Sequence, residues 1–202
     1  MEVLENVEVK IIEAAKQLFI EQGFEKTSMS DIAARAGINR TALHYYFRTK
    51  DKMFQAVFGS IMESFLPRIQ VIFDEDIPFR EKLSRVIDEY ITIFSDNPYL
   101  PAFILGEIGR DVDHLLEAGR IKNMDKYLLS IERVILAEME KGRIKKVPIP
   151  TVLVTFMSQV TFPFLARNLV MALFFDSDGE YTEFLKEWKA NLLKQLEALL
   201  VA

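Results

Sequence analysis

The chain has 202 residues, of which 50% are apolar and 27% are charged, a composition typical of a globular protein and not of a disordered one. This length allows one domain or two small ones. The absence of cysteine excludes disulfide bonds, a thiolate nucleophile, zinc bound by cysteine and an iron–sulfur cluster. The net charge of −5 argues against indiscriminate coating of nucleic acid, but it leaves room for a small basic face.

Two helices are predicted at the N-terminus. Apolar residues recur with a helical period over residues 7–18, and this first helix should stop at Gly23, which can take the left-handed conformation beyond a helix end. The pattern Ser28-Met-Ser-Asp31 is a capping box, in which the side chains satisfy free N–H groups at a helix start. It opens a short helix over about residues 30–36, which Gly37 ends.

Further helices account for the rest of the chain. A third short helix is predicted over residues 39–46, and Thr49 can cap a long fourth helix, which Pro67 should kink or divide. No alternating apolar and polar segment supports a strand, so the predicted fold class is all-α. Proline and glycine breaks divide the remainder into helices at about 78–95, 98–110, 120–141, 149–175 and 180–200.

The charge distribution places a domain boundary near residue 52. Residues 1–52 contain eight basic and eight acidic side chains and are neutral, so residues 53–202 carry the whole net charge of −5. Within the first part, residues 32–50 hold four cationic side chains and no acid. We therefore expect a first region over residues 1–52 and a second, helical region over residues 53–202.

Two short helices joined by a tight turn containing glycine, with positive charge on the second, form a helix-turn-helix arrangement. Its second helix is short enough to enter the major groove while apolar packing holds it rigid. Arginine pairs with guanine, asparagine pairs with adenine, and a threonine methyl group contacts thymine. The side chains predicted to meet bases are Asn39, Arg40, Thr41, His44 and Tyr45, and those suited to phosphates are Thr27, Tyr46 and Lys50.

The stretch from Gly23 to Phe54 resembles the DNA-binding segment of the tetracycline-repressor-like (TetR) family. The similarity is nearly continuous over about residues 10–58 and rests on four features, namely Thr27, the Asp-Ile-Ala…Ala-Gly core of residues 31–37, Leu-His-Tyr-Tyr-Phe at 43–47, and Lys50. The remaining three-quarters of the chain resembles the family only in length and helical pattern. The resemblance implies a dimeric regulator with a helix-turn-helix DNA-binding domain over residues 1–52. It also implies a helical ligand-binding and dimerisation domain over residues 53–202, which binds an inducer.

The resemblance also implies a role for each matched position. Thr27 and Lys50 correspond to phosphate anchors, and Tyr45 and Tyr46 to side chains that lie against the DNA backbone and base edges. Asn39, Arg40, Thr41 and His44 fall on the variable reading face and should determine which operator is bound. His44 departs from the tyrosine that is more common in the family.

No constellation of catalytic residues is apparent. The chain has two histidines, no Ser-His-Asp order, no glycine-rich phosphate loop and no zinc spacing, so we expect neither an enzyme nor a cofactor. The group Asp111, Asp113, His114 and Glu117 has the residue types of a metal site. A solvated acidic turn is the favoured interpretation, because such clusters are common in acidic proteins.

The second region is rich in phenylalanine and methionine, which indicates either a core or an apolar pocket. We expect it to enclose a largely apolar or amphipathic small molecule, with Phe94, Phe103, Tyr127, Phe156 and Met157 as candidate lining residues. The last two helices carry more apolar positions than docking on a core requires, and the resemblance suggests a four-helix dimer interface. Its candidate residues are Phe156, Val160, Phe164, Leu185, Trp188, Leu192 and Leu196.

These features predict a ligand-responsive regulator, in the first instance a repressor, that binds a palindromic operator as a homodimer. An activator or a ligand-independent DNA-binding protein of the same fold stays open, as does a helical metabolite-binding protein or enzyme. The N-terminus has no export signal, and no apolar run of about 18 uncharged residues occurs. We expect a cytoplasmic protein that is not inserted in a membrane.

Overall fold

The computed structural model describes residues 2–98, 100–121 and 124–201, and this part of the chain is helical without a strand. The predicted all-α class is confirmed. The helices are α1 (Glu2–Gln22), α2 (Met29–Ala36), α3 (Arg40–Tyr46), α4 (Lys50–Asp74), α5 (Phe79–Asp96), α6 (Leu100–Arg110), α7 (Val112–Ile121), α8 (Met124–Glu140), α9 (Ile149–Leu165), α10 (Arg167–Phe174) and α11 (Asp178–Leu200).

The chain divides into two compact units, each formed by two separate stretches of the sequence. The first unit contains residues 1–64 and 102–125, and the second contains residues 65–101 and 126–202. Helix α4 therefore contributes to both, and most of α6 and all of α7 pack with the N-terminal helices. The functional boundary predicted near residue 52 stays a prediction.

The predicted helix ends in the first unit are confirmed. Gly23 and Gly37 have φ angles of 84° and 70°, the left-handed region that glycine enters without steric cost. The Ser28 side chain accepts a hydrogen bond from the Asp31 amide, and the Asp31 carboxylate accepts one from the Ser28 amide. These bonds satisfy free groups at the start of α2. They also hold the pKa of Asp31 below its usual value.

An aromatic core fills the first unit. The Phe19 and Phe54 rings are fully buried, with centroids 6.3 Å apart, and Phe103 of α6 lies 6.4 Å from Phe19 and 5.8 Å from Phe54. Phe103 was expected to line an effector pocket together with Phe94 and Phe156, which belong to the second unit. The structure places it instead in the core that supports the N-terminal helices.

Two helix boundaries of the second half differ from the predicted ones. The sequence predicted one helix over 120–141, whereas α7 ends at Ile121 and α8 begins at Met124. The predicted acidic turn around residue 111 is also partly wrong, because α7 begins at Val112. The Asp111 carboxylate accepts a hydrogen bond from the His114 amide at 3.0 Å and so caps this helix.

Proline has different consequences in α4 and α9. Helix α4 runs without a break from Lys50 to Asp74 with Pro67 inside it, so the predicted division does not occur. The predicted helix over 149–175 is two helices, since α9 and α10 bend by 62° at Ala166. Pro163 has no amide hydrogen to donate to the carbonyl group of Gln159.

The side chains of α11 compensate for that lost bond. The Trp188 indole donates a hydrogen bond to the Gln159 carbonyl oxygen at 3.0 Å, and the Tyr181 hydroxyl donates one to the Pro163 carbonyl oxygen at 3.0 Å. Near the bend, the Arg167 guanidinium binds the Asp178 carboxylate at 2.6 Å. The end of α9 and the start of α10 are therefore fixed to α11 by specific contacts.

The core of the second unit lies among α5, α9 and α11. Val160, Phe164, Leu185, Leu192 and Leu196 are each at most 7% exposed within a single chain. These five residues were expected in a dimer interface, but their side chains are already covered by their own chain. The Trp188 indole is likewise engaged internally. Phe156 and Trp188 are half-buried, and the most exposed apolar side chains of α9 and α10 are not among the seven predicted ones.

Helix α4 is long and apolar enough to cross a membrane, and half of its apolar stretch is buried in the structure. Helices α9 and α10 would reach the necessary length only as a bent pair. Core helices of soluble proteins have the same length and composition, so these features are weak evidence for a membrane span.

Candidate nucleic-acid interface

The two short helices α2 and α3 are fixed by apolar packing. Ile32 and Ala33 of α2 and Leu43 of α3 are at most 3% exposed. The Arg35 guanidinium also forms a two-pronged hydrogen bond with the Glu21 carboxylate of α1, at 3.2 and 3.0 Å. This contact lowers the pKa of Glu21 and raises that of Arg35. Helix α3 is therefore held against a rigid base.

The outer face of α3 carries the predicted base-reading residues. Arg40 and Thr41 are exposed, His44 is half-buried, and Tyr45 has 78% of its surface exposed. The Tyr45 and Tyr46 rings meet edge to face at 5.3 Å. The structure brings these residues together on one surface, as a groove-reading helix requires.

Asn39 has a structural role that the sequence interpretation omitted. Its side-chain oxygen accepts a hydrogen bond from the Ala42 amide at 2.8 Å, which makes Asn39 the N-cap of α3. Only its amide NH2 group remains to donate to a base edge. On the same face, the Arg40 Nε donates to the His44 Nε2 at 3.3 Å. This bond requires an unprotonated Nε2.

The predicted phosphate anchor Thr27 lies inside the unit. Its side chain is 1% exposed, and its hydroxyl donates to the carbonyl oxygens of Gly23 at 2.9 Å and Leu18 at 3.3 Å. The same oxygen accepts from the Gln22 amide group at 3.2 Å. In this structure Thr27 joins the end of α1 to the turn before α2, and its contact with phosphate stays a prediction.

The predicted phosphate anchor Lys50 is also engaged within the unit. Its ammonium group donates to the carbonyl oxygens of Phe24 at 3.0 Å and Glu25 at 3.3 Å. It also lies 4.3 Å from the centre of the Phe24 ring, within the range of a cation–π interaction. Lys50 thus fixes the start of α4 to the turn before α2, and its contact with phosphate is not tested by this geometry.

Of the four cations between residues 32 and 50, Arg35 and Lys50 have contacts inside the first unit. Arg40 and Arg48 are exposed. Arg48 was not among the predicted DNA contacts, although it lies between α3 and α4 and was part of the basic window. Its membership in the basic window of residues 32–50 was the only feature of the sequence that pointed to Arg48 as a DNA contact.

The predicted effector residues in the second unit only partly meet. Phe94 and Phe156 both pack on Tyr90, with ring centroids 5.8 and 5.1 Å from it. Burial raises the pKa of Tyr90 to about 12, so its hydroxyl stays protonated. Tyr127 and Met157 are half-buried.

A separate cavity of about 840 Å³ opens in the second unit where α4 ends and α5 begins. Phe73, Phe79 and Ile144 provide apolar lining, and charges of both signs surround them. None of the five predicted effector residues is among the described residues that line it. The part of the chain that the structure describes also holds no group of three potential metal ligands.

Comparisons with known proteins agree with the helix-turn-helix geometry. Residues 11–57 match the family model described as bacterial regulatory proteins, tetR family. A fatty acid metabolism regulator protein of Bacillus subtilis (strain 168) is 27% identical over 139 residues, 68% of this chain and 71% of the relative. The HTH-type transcriptional regulator YhgD of the same organism is 24% identical over 195 residues, 91% of each chain.

The whole chain also shares its fold with solved regulators. The structure of the transcriptional regulator FadR from Bacillus subtilis in complex with stearoyl-CoA superposes with a TM-score of 0.72. It is 21% identical in sequence, and the match covers 93% of this chain and 96% of that one. With the exposed face of α3, these likenesses identify residues 11–57 as a helix-turn-helix domain of the type described for bacterial regulatory proteins of the tetR family, carried on a chain that shares the fold of solved transcriptional regulators.

Proposed function

We propose that this protein is a homodimeric repressor that binds a palindromic operator in duplex DNA and is released by a small amphipathic effector. The observation that carries the proposal is the outer face of α3, where Arg40, Thr41, His44 and Tyr45 project from a helix fixed by capping and packing. In this proposal Thr27, Tyr46 and Lys50 contact phosphates. The site of action is then the bacterial cytoplasm, where the DNA lies.

A dimer is part of the proposal because one short helix reads too few bases to be specific. Two such helices about 34–36 Å apart can enter successive major grooves on one side of the duplex. The surface that we assign to dimerisation is the outward face of α9 and α10. It consists of Leu153, Val154, Phe162, Leu165, Leu169, Leu173 and Phe174, each at least 36% exposed.

This apolar face favours a second copy of the chain over a membrane. Helix α10 has no buried residue, so its three large exposed side chains add nothing to the core of one chain. Residues 168–175 carry no charge. Of the charged side chains next to this segment, Arg167 is bound to the Asp178 carboxylate, and Asp176 and Glu180 are acidic, so its flanks lack the cationic cluster that anionic lipid attracts. An uncharged face can instead pair with its own copy.

The effector that we propose has a long apolar part and a polar head. The rings around Tyr90 offer apolar surface, and the relatives include a fatty acid metabolism regulator and a regulator solved with stearoyl-CoA. Helix α4 contains residues of both compact units and begins four residues after α3 ends. An effector that shifts α4 would change the separation of the two recognition helices.

The effector must bind the DNA-incompatible state more tightly, since equal binding to both states shifts nothing. A coupling free energy of about 1–3 kcal/mol changes operator affinity roughly 5- to 150-fold.

Replacing Arg40 with alanine tests base reading. If the guanidinium pairs with a base edge, Arg40→Ala weakens cognate binding by about 1–3 kcal/mol and leaves binding to random duplex nearly unchanged. The matched control is Arg48→Ala, another exposed arginine, which should weaken both duplexes alike and reduce the salt dependence. Fluorescence anisotropy at several salt concentrations measures both effects. An equal loss on cognate and random DNA for Arg40→Ala would contradict its assignment as a base reader.

Stearoyl-CoA tests the class of effector. We expect stearoyl-CoA to raise the melting temperature of the protein and to lower its operator affinity roughly 5- to 150-fold. Coenzyme A without an acyl chain is the matched control and should do neither. Stabilisation by highly polar anionic metabolites alone, with no response to any acyl compound, would exclude an amphipathic effector.

A further inference from the structure

The His114 side chain lies in an enclosed position in the first unit that the DNA-reading surface does not use. Its ring is stacked on Phe54 with a centroid separation of 4.5 Å, and the side chain is 11% exposed. Its Nδ1 lies 2.9 Å from the Arg110 Nη2. Its Nε2 is buried without a hydrogen-bond partner, and the nearest carboxylate oxygen, from Asp51, is 3.7 Å away. A buried polar atom without a partner is costly and needs an explanation.

Arg110 connects this ring to the end of α6. Its guanidinium donates to the Glu107 carboxylate at 3.0 and 2.6 Å, and Glu107 is 4% exposed. The guanidinium carbon also lies 4.4 Å from the centre of the Phe24 ring. Hydrogen bonding to Glu107 raises the pKa of Arg110, which stays charged. The position of Arg110 is therefore fixed from two sides.

The same Phe24 ring receives the ammonium group of Lys50, 4.3 Å from its centre. Two cations, one from the start of α4 and one from the end of α6, thus hold a single ring in the turn before α2. Phe24 is 5% exposed, so the ring has little freedom to move. The contacts of His114 and Arg110 consequently extend to the two segments that flank the helix-turn-helix.

The hydrogen bond from Arg110 determines the protonation state of His114. A guanidinium group can only donate, so Nδ1 must be the acceptor and must carry no proton. The single proton of the neutral ring is then on Nε2. Adding a second proton at Nδ1 would remove the acceptor and place two cations 2.9 Å apart.

Charged groups of both signs lie on the elements that pack around His114 and Arg110. Four acidic groups stand against two basic ones. They are Glu107 and Arg110 of α6, Asp111 before α7, Lys50 and Asp51 of α4, and Glu25 of the turn before α2. Imidazole is the side chain that gains charge between about pH 5 and pH 8. The contact with Arg110 is therefore open to control by pH.

We propose that Arg110 and His114 are positioning residues that hold the turn before α2 and the start of α4 in the DNA-binding arrangement, and that they do so only while His114 is neutral. The inference rests on the proposed DNA binding. Operator affinity should then fall as the pH decreases and His114 gains its proton.

Three variants separate the atoms involved. His114→Asn supplies a side-chain oxygen in place of Nδ1 that does not titrate, His114→Phe keeps the ring but removes the acceptor, and Arg110→Met removes the donor. Operator affinity of the full chain is measured between about pH 5 and pH 8. We expect the operator affinity of the unsubstituted protein to be about fivefold lower, or more, at the acid end than at the alkaline end, a change of the size typical of coupled sites. His114→Asn should keep high affinity throughout, and the other two variants should be weak at every pH.

His44 is the other histidine and serves as the matched control. His44→Gln alters the reading face and so changes the absolute operator affinity. Only the pH dependence of that affinity is therefore compared, and the affinity should still fall at acid pH. Nuclear magnetic resonance of the free protein provides a readout without DNA. It should show the Nε2–H tautomer of His114, and the Phe24 and Lys50 amides should shift as this ring titrates, but not in Arg110→Met.

The outcomes distinguish this inference from the proposed function. Failure to bind any duplex at the alkaline end would refute the proposed function itself. The positioning role would be overturned if the fall in operator affinity at acid pH disappeared in His44→Gln and persisted in His114→Asn. It would also be overturned, without reference to DNA, by a Nδ1–H tautomer of His114 or by Phe24 and Lys50 amide resonances that do not shift as the pH changes.

Discussion

Replacing Leu169 with glutamate is expected to convert the proposed dimer into a folded monomer and to weaken operator binding by about 100-fold or more. Leu169 lies on α10, is 61% exposed, and belongs to a helix without a buried residue, so one chain can accept the charge. In a dimer the same carboxylate would be buried in an apolar interface without a partner, which is strongly unfavourable. Loss of the second recognition helix removes the increase in affinity that bivalent binding provides, typically about 10²- to 10⁴-fold.

The matched control is Asn191→Glu, which adds one negative charge to the exposed face of α11. That face is polar, so we expect this variant to remain a dimer with unchanged operator affinity. Light scattering measures mass, with one chain being 23.4 kDa, and circular dichroism verifies that the helices are intact. A Leu169→Glu protein that remains dimeric, or an unsubstituted protein that is monomeric at micromolar concentration, would refute the assigned interface.

Replacing Phe54 with alanine should destabilise the first unit by about 3–5 kcal/mol, the usual cost of removing a buried phenylalanine ring. Phe54 is fully buried and lies within 6.3 Å of the Phe19, Phe24 and Phe103 rings, which come from three different segments of the chain. Alanine leaves a cavity where these segments meet. Because the same packing holds the helix-turn-helix, DNA binding should be lost as the unit unfolds.

Tyr45→Ala is the control for the loss of an aromatic ring as such. Tyr45 is 78% exposed, and a surface substitution of this kind usually changes the free energy of unfolding by less than about 0.5 kcal/mol. Urea denaturation followed by circular dichroism compares the two variants. If Phe54→Ala unfolded at the same urea concentration as the unsubstituted protein, the aromatic core would not be what stabilises this unit.

The N-terminal helices could be predicted well because their signals are local. Gly23 and Gly37 each end a helix for a reason confined to one residue, and the capping box of Ser28 and Asp31 spans a single turn. Thr27 and Lys50 were also recognised as important, but the sequence does not show that their polar atoms are bound to main-chain carbonyl groups. That information depends on how the turn before α2 folds back on α1 and α4.

The packing of the C-terminal helices was the least predictable part of the fold. Apolar spacing shows which face of a helix is covered, but it does not show whether the cover is the same chain or another one. Leu192 and Leu196 lie on such a face and are fully buried by their own chain. Trp188 pairs with a carbonyl group that Pro163 leaves free, a contact between residues far apart in sequence. The 62° bend between α9 and α10 is likewise not visible in the apolar spacing, and Leu169, Leu173 and Phe174 beyond it are exposed.

The central claim is that residues 39–46 enter the major groove of duplex DNA twice, once from each subunit. Selection of bound sequences from a random duplex library in low-salt buffer without effector tests it most directly. We expect to recover a palindrome whose half-sites lie about 34–36 Å apart, or a multiple of one helical turn. If no duplex is retained under these conditions, the claim is contradicted.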